Sequence, residues 1–135
     1  MLKILGSFLV VISTLVLIDG FWLGLIAPNF YKKHIGHLMA TNPTWAAAGL
    51  FYVVFIAGLL YFVVRPLGVD ASLLKIFLSG ALFGLATYAT YDLTNQATLK
   101  DWPIIVTIVD LAWGTFLTAS VSTVSVVVLR FLGWV

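Results

Sequence analysis

Four long apolar runs dominate the chain, and the polar residues between them are few. A helix crossing the hydrocarbon core of a bilayer needs about 20 mostly apolar residues. Stretches at about 2–26, 45–64, 72–93 and 103–132 meet that requirement. Their length and their lack of period-two alternation argue against strands. The second run is read as stopping at Arg65 and Pro66. Pro103 suits the first turn of the fourth helix, where its missing N–H costs nothing. The fourth run is longer than a bilayer requires, which predicts tilt or extension beyond the membrane. "VRPLGVDA" and "NQATLKDW" read as short turns, so the helices they join are antiparallel. The first connection, "PNFYKKHIGHLMATNP", is longer and patterned, with Phe30, Ile35 and Leu38 toward lipid and Lys32 and Lys33 toward water. That pattern predicts a short interfacial helix beginning near Pro28 and Asn29. The expected fold class is all-α and integral to a membrane. It is a four-transmembrane-helix antiparallel bundle with a short interfacial helix after the first span, forming one domain over residues 1–135.

Composition points the same way. The chain is 62% hydrophobic and 9% charged, whereas soluble domains carry roughly a quarter charged residues. Such a chain cannot cover a water-facing surface. The first run, with Lys3 ahead of it, has the outline of a signal peptide. No small-x-small cleavage site follows, and bulky Phe21 and Trp22 stand where one is expected, so the run reads as a retained span. The net charge of +2 comes from scattered Lys and Arg with no basic stripe, which argues against a nucleic-acid partner. The absence of cysteine excludes disulfides, thiolate chemistry and Cys-based metal sites. With the N-terminus inside, the inner side carries Lys3, Arg65, Lys75 and Arg130, and the outer side Lys32, Lys33 and Lys100. The excess favours cytoplasmic termini. The four inner basic residues are expected to set topology and touch anionic lipid.

Three aspartates break the apolar pattern. Asp19 lies about seven residues from the end of the first run and Asp110 about seven residues into the fourth, each roughly 10 Å deep at 1.5 Å per residue. Asp92 sits near the end of the third run, where helix is expected to give way to loop. In an antiparallel bundle odd helices finish where even helices begin, so all three meet in one half of the membrane. That half also collects Trp22, His34, His37, Tyr88, Tyr91, Asn95 and Trp113. Gly80, Gly84, Tyr88 and Asp92 recur every four residues, and Gly80 and Gly84 form a GxxxG pair that admits a close neighbour. Thr107, Asp110, Gly114, Thr118, Ser122 and Ser125 form a second stripe of small and polar residues, which turns Asp110 toward the bundle interior. Asp19 and Trp22 share a face. An Asp in mid-helix costs about 2.5–3.5 kcal/mol on insertion scales, and no Lys or Arg lies at this depth to pair with it. Compensation must come from hydrogen bonds, a water-filled cavity, a bound cation or protonation.

The candidate ligand-binding residues are therefore Asp19, Trp22, Tyr88, Tyr91, Asp92, Asn95, Asp110 and Trp113. They suggest an Asp-rich pocket in the outer half of the bundle that binds or transports a cation, a proton or a small polar or amine ligand. Two alternatives stand beside this. One is a membrane enzyme acting on a lipid or quinone-like substrate, with Asp and His as general base or metal ligands. The other is a structural or accessory subunit in which the aspartates serve packing. No nucleophile motif, phosphate loop or HExxH occurs, so no catalytic residue is assigned and no cofactor is implied. His34 and His37, spaced i, i+3, would share a helix face and are the candidates for a metal. The plainer reading makes them solvated interfacial residues. Trp22, Trp45, Trp102 and Trp134 lie near span ends and fit an aromatic belt, while Trp113 is deeper, one turn from Asp110. "DGFWLG" and "DLAWGT" share Asp-x-x-Trp followed by Gly, which hints at an inverted repeat of two-helix halves. Beyond the lipid bilayer and a small polar ligand or cation, self-association through small-residue faces is the partner expectation.

The segment "YATYDLTNQATLKDWP" followed by "VDLAWGT", with "DGFWLG" and "FYKKHIG" upstream, resembles a family of predicted bacterial inner-membrane proteins of unknown function, domain-of-unknown-function family 2177. The resemblance covers almost the whole chain. Asp19, Trp22, Tyr91, Asp92, Asn95, Trp102, Asp110 and Trp113 are among the residues that carry it. It implies a small four-span, multi-pass protein of the bacterial inner membrane. It supplies no activity, substrate or cofactor.

Overall fold

The computed structural model describes residues 2–135. Four of its helices are long and apolar enough to cross a membrane: Leu2–Leu25 (α1), Trp45–Gly68 (α3), Leu73–Thr98 (α4) and Ile104–Phe131 (α5). Between the first two lie a short helix, Ala27–Ile35 (α2), and a 3-10 turn, Gly36–Leu38. No strand occurs among the described residues. The architecture is the all-α membrane bundle that the hydropathy pattern predicts, with α2 starting beside Pro28.

The central pair is α4 and α5, and glycine makes it close. Apolar surface does not drive helices together within lipid, so tight van der Waals packing across small residues must do so. A Cβ added at Gly80 would come within 2.5 Å of Ser122 Oγ and 2.9 Å of the Thr118 carbonyl. One added at Gly84 would overlap the Gly114 carbonyl oxygen and meet Thr118 Cβ at 2.7 Å. The entire polar stripe of α5 (Thr107, Asp110, Gly114, Thr118, Ser122 and Ser125) is buried, as the spacing predicts. Aliphatic packing forms the core between the four helices. Val11 and Leu15 of α1, Ile56, Leu59 and Val64 of α3, Ile76 of α4, and Leu117, Val121 and Leu129 of α5 meet there.

Two helix boundaries and one side-chain orientation differ from the sequence reading. The second span does not stop at Arg65 and Pro66 but continues to Gly68. Proline lacks an N–H, and in a regular helix its ring collides with the carbonyl four residues earlier. Here Leu60–Val64 widen into a π-helical segment, with the Arg65 N–H bonded to the Leu60 carbonyl, and the wider turn makes room for the ring. The third helix runs to Thr98, beyond the predicted end at 93. No Gly or Pro interrupts residues 93–98, and the Thr94 and Thr98 hydroxyls bond back to the carbonyls of Thr90 and Thr94. The chain turns only afterwards, where Asp101 takes a left-handed φ of 58°. In α2, Phe30 does not face outward. It is half-buried against Trp22 and His34, with ring centroids at 6.5 and 4.8 Å.

Arg130 also has a task that its position near a span end did not reveal. Its guanidinium donates from Nε to the Gly68 carbonyl and from Nη2 to the Ala71 carbonyl, both at 2.7 Å. These are carbonyls at and just after the C-terminus of α3, which have no intrahelical partner. A planar fork suits two neighbouring carbonyls, so Arg130 clamps the turn between α3 and α4.

Candidate ligand pocket

Asp19 stands six residues before the end of α1, Asp92 six before the end of α4 and Asp110 six after the start of α5. Each is therefore about 9 Å from its helix end. Asp92 is not at a helix–loop seam; the extension of α4 carries it as deep as the other two. All three are buried, yet their surroundings differ.

Asp19 is fully partnered. Its Oδ1 accepts from Trp113 Nε1 at 3.1 Å and its Oδ2 from the Tyr52 hydroxyl at 3.2 Å. The Trp113 indole stacks on Trp22, with centroids 4.7 Å apart and planes at 16°. The two Asp-x-x-Trp stretches thus meet each other across the bundle. Asp110 has one donor, the Tyr31 hydroxyl at 2.5 Å, which ties α2 down onto α5. Burial, and then the hydrogen bond and charge of Asp110, push the Tyr31 phenol well above its ordinary range. Tyr31 therefore stays a donor. Asp92 is fully buried, and among the described residues neither of its carboxyl oxygens has a hydrogen-bond partner. The Asp110 carboxyl lines the same cavity wall.

These carboxyls border a cavity of about 420 Å³ between α3, α4 and α5, lined by Phe51, Phe55, Thr87, Tyr88, Tyr91, Asp92 and Asp110. A smaller cavity of about 130 Å³ adjoins it and holds Asp19, Trp22, Tyr31, Tyr52 and Trp113; Phe51, Phe55 and Tyr88 line both. Tyr88 is on the wall of each, and its ring lies so close on Gly114 that any side chain there would overlap it. The Thr87 hydroxyl is spent on the carbonyls of Phe83 and Gly84. Apart from its two carboxyls, the wall of the larger cavity is thus mainly aromatic.

Toward the helix ends a hydrogen-bonded network closes the gap between α4 and α5. Thr107 Oγ1 donates to Gln96 Oε1 and accepts from Trp102 Nε1, both at 3.1 Å, and Gln96 Nε2 donates to the Trp102 carbonyl at 3.1 Å. Gln96 stands one turn beyond Asp92 and Thr107 one turn beyond Asp110, so this plug sits directly over the carboxyl pair.

Several sequence assignments change. Asn95 is half-buried but lies outside the lining of both cavities. Tyr52, Tyr31 and Gln96, which helical spacing within a single run could not select, make the key contacts from neighbouring elements. His34 is on α2 and His37 on the following 3-10 turn, so the shared helix face expected of their spacing is lost. Among the described residues no group of three or more His, Asp or Glu is placed to hold a metal ion. The aromatic-belt reading suits Trp45, which is exposed. Trp22 and Trp102 are buried at 9% and 6% exposure, and Trp134 packs its ring over Gly6.

The family described as Predicted membrane protein (DUF2177) matches this chain over residues 4–127, so the chain belongs to that family. No curated protein matches it, and no solved structure does. The chain is a multi-pass membrane protein with four apolar spanning helices.

Proposed function

We propose that the protein binds, and as a carrier transports, a small molecule bearing a positively charged amine, held in the larger cavity by Asp92 and Asp110. The observation that carries this reading is the Asp92 carboxyl, fully buried with both oxygens unpartnered among the described residues. An uncompensated buried carboxylate costs several kcal/mol. An ammonium group supplies both the missing charge and the missing donors. The aromatic wall favours an organic cation over a metal ion. Rings of Phe51, Phe55, Tyr88 and Tyr91 attract ammonium through their faces. Hard divalent cations need about six or more oxygen ligands, which two carboxyls among rings do not supply. Asp19 plays a different part: with two donors in place, it orients Trp113 and Tyr52. With the termini in the cytoplasm of a bacterial inner membrane, as the basic residues favour, the cavity lies in the periplasmic half.

Isothermal titration in a non-ionic detergent, with short alkylamines against the alcohols of the same shape, tests this. Amines should bind and alcohols should not. Asp92→Asn and Asp110→Asn should each weaken amine binding by about 2–5 kcal/mol, the usual cost of truncating one side of a desolvated charge pair. Equal affinity for amine and alcohol, or variants that bind as wild type does, would overturn it.

A further inference from the structure

We infer that the ligand enters this cavity sideways from the lipid, between α3 and α4, and is therefore a membrane-partitioned amine with an apolar tail too long for the cavity. The inference rests on the amine reading above and adds the route and the ligand class.

The mouth lies inside the spanning segments. Phe51 stands six residues into α3 and Tyr91 seven residues before the end of α4. Both flank the cavity about 9–10 Å from the helix ends. Both are more than half exposed, at 52% and 59%. At that depth an exposed aromatic side chain faces acyl chains. Deeper in the membrane the seam between α3 and α4 closes. Gly58 lies against the Phe83 ring, Phe55 and Phe62 flank the same ring, and the Leu60–Val64 segment makes the close backbone approach to α4. On the aspartate side of that closure the two helices diverge, and the cavity occupies the gap.

The way in from the helix ends between α4 and α5 is closed. The Gln96–Thr107–Trp102 network stands over Asp92 and Asp110, with Trp102 buried within it. On the other flank of Asp110, Tyr31 of α2 occupies the carboxylate. A polar solute arriving between α4 and α5 or past α2 meets this plug and this latch, whereas a lipid-dissolved molecule meets an aromatic gap. The cavity volume of about 420 Å³ is at the small end of ligand pockets, roughly 300–1,000 Å³. It accommodates an ammonium group and the first few carbons; a longer tail continues between Phe51 and Tyr91 into the bilayer.

The test uses the full chain in lipid nanodiscs and a photoreactive dodecylamine with a diazirine on the tail carbons just beyond the part the cavity encloses. The expected adducts lie on the lipid-facing residues of α3 and α4 around Phe51 and Tyr91. Butylamine should suppress the labelling, because it takes the ammonium site. Asp92→Asn should reduce it about thirtyfold, as for a lost charge partner, and Asp110→Asn serves in its place where the first variant does not fold. The dodecanol analogue should label no preferred residue. Adducts around Gln96–Trp102 or in the 39–44 loop, still suppressed by butylamine, would overturn lateral entry and leave the amine site standing. Labelling insensitive to butylamine and to both aspartate substitutions would overturn the amine site itself.

Discussion

Replacing Gly84 by alanine places a methyl group where α5 leaves no room for one. The new Cβ would overlap the Gly114 carbonyl oxygen and lie 2.7 Å from both Cβ and Oγ1 of Thr118. Carbon atoms in good contact are about 3.5–4.0 Å apart, so the two helices must separate by about 1 Å. A side chain could rotate aside, but the Gly114 carbonyl is backbone within α5. Overpacking of this kind costs typically 1–3 kcal/mol. Alanine also favours helix over glycine by as much as about 1 kcal/mol, which would mask part of that cost. Gly20→Ala removes the ambiguity, because a Cβ at Gly20 meets nothing within 4 Å and carries the same helix preference. The difference between the two variants isolates the packing term. At roughly 4 °C per kcal/mol for a chain of this size, Gly84→Ala should melt about 4–12 °C below Gly20→Ala. Thermal unfolding in detergent, followed by intrinsic tryptophan fluorescence, reads this directly. Equal melting of the two variants would refute the close approach of α4 and α5, and with it the juxtaposition of Asp92 and Asp110 that depends on it.

Other consequences can be checked the same way. Tyr31→Phe should lower stability by about 1.5–3 kcal/mol, the worth of a hydrogen bond to a charged acceptor. Because the Tyr31 phenol is raised in the fold above its unfolded value near about 10, that contribution is present in full below pH ~10. It is lost as the pH rises beyond that value, so the melting gap between variant and wild type should narrow in alkali. Arg130→Met should expose two carbonyls at the end of α3 and destabilise by about 1–3 kcal/mol for each. Arg130→Lys should recover only part, since one ammonium cannot reproduce the fork to Gly68 and Ala71. Thr107→Val should leave Trp102 Nε1 and Gln96 Oε1 without their Thr107 partner. It should lower the melting temperature and speed hydrogen exchange in the last turn of α4.

How much of the site can be read along the chain depends on which interactions are local. The stripe from Gly80 to Asp92 and the stripe from Thr107 to Ser125 follow from the 3.6-residue period, and the structure turns both inward because only small residues let α4 and α5 approach. Asp92 reads poorly by the same method. Its depth depends on where α4 ends, and helix ends in a Thr-rich, Gly-free segment are weakly marked. Tyr31, Tyr52 and Gln96 are invisible to periodicity because each acts on a residue of another helix, 79, 33 and 11 positions away.

Hydropathy and helix geometry by themselves determined the four spans, their antiparallel order and the gathering of three aspartates in one half of the membrane. These properties are one-dimensional: a bilayer imposes a length, and an antiparallel bundle converts distance along the chain into depth. Only the tertiary structure decided that the three aspartates are not equivalent. Asp19 is satisfied by Tyr52 and Trp113, Asp110 is latched by Tyr31, and Asp92 lies buried at the wall of an aromatic cavity with neither oxygen hydrogen-bonded among the described residues. A carboxylate's state depends on which donors reach it across the bundle, and helix rotation and inter-helix distance set that, not sequence spacing.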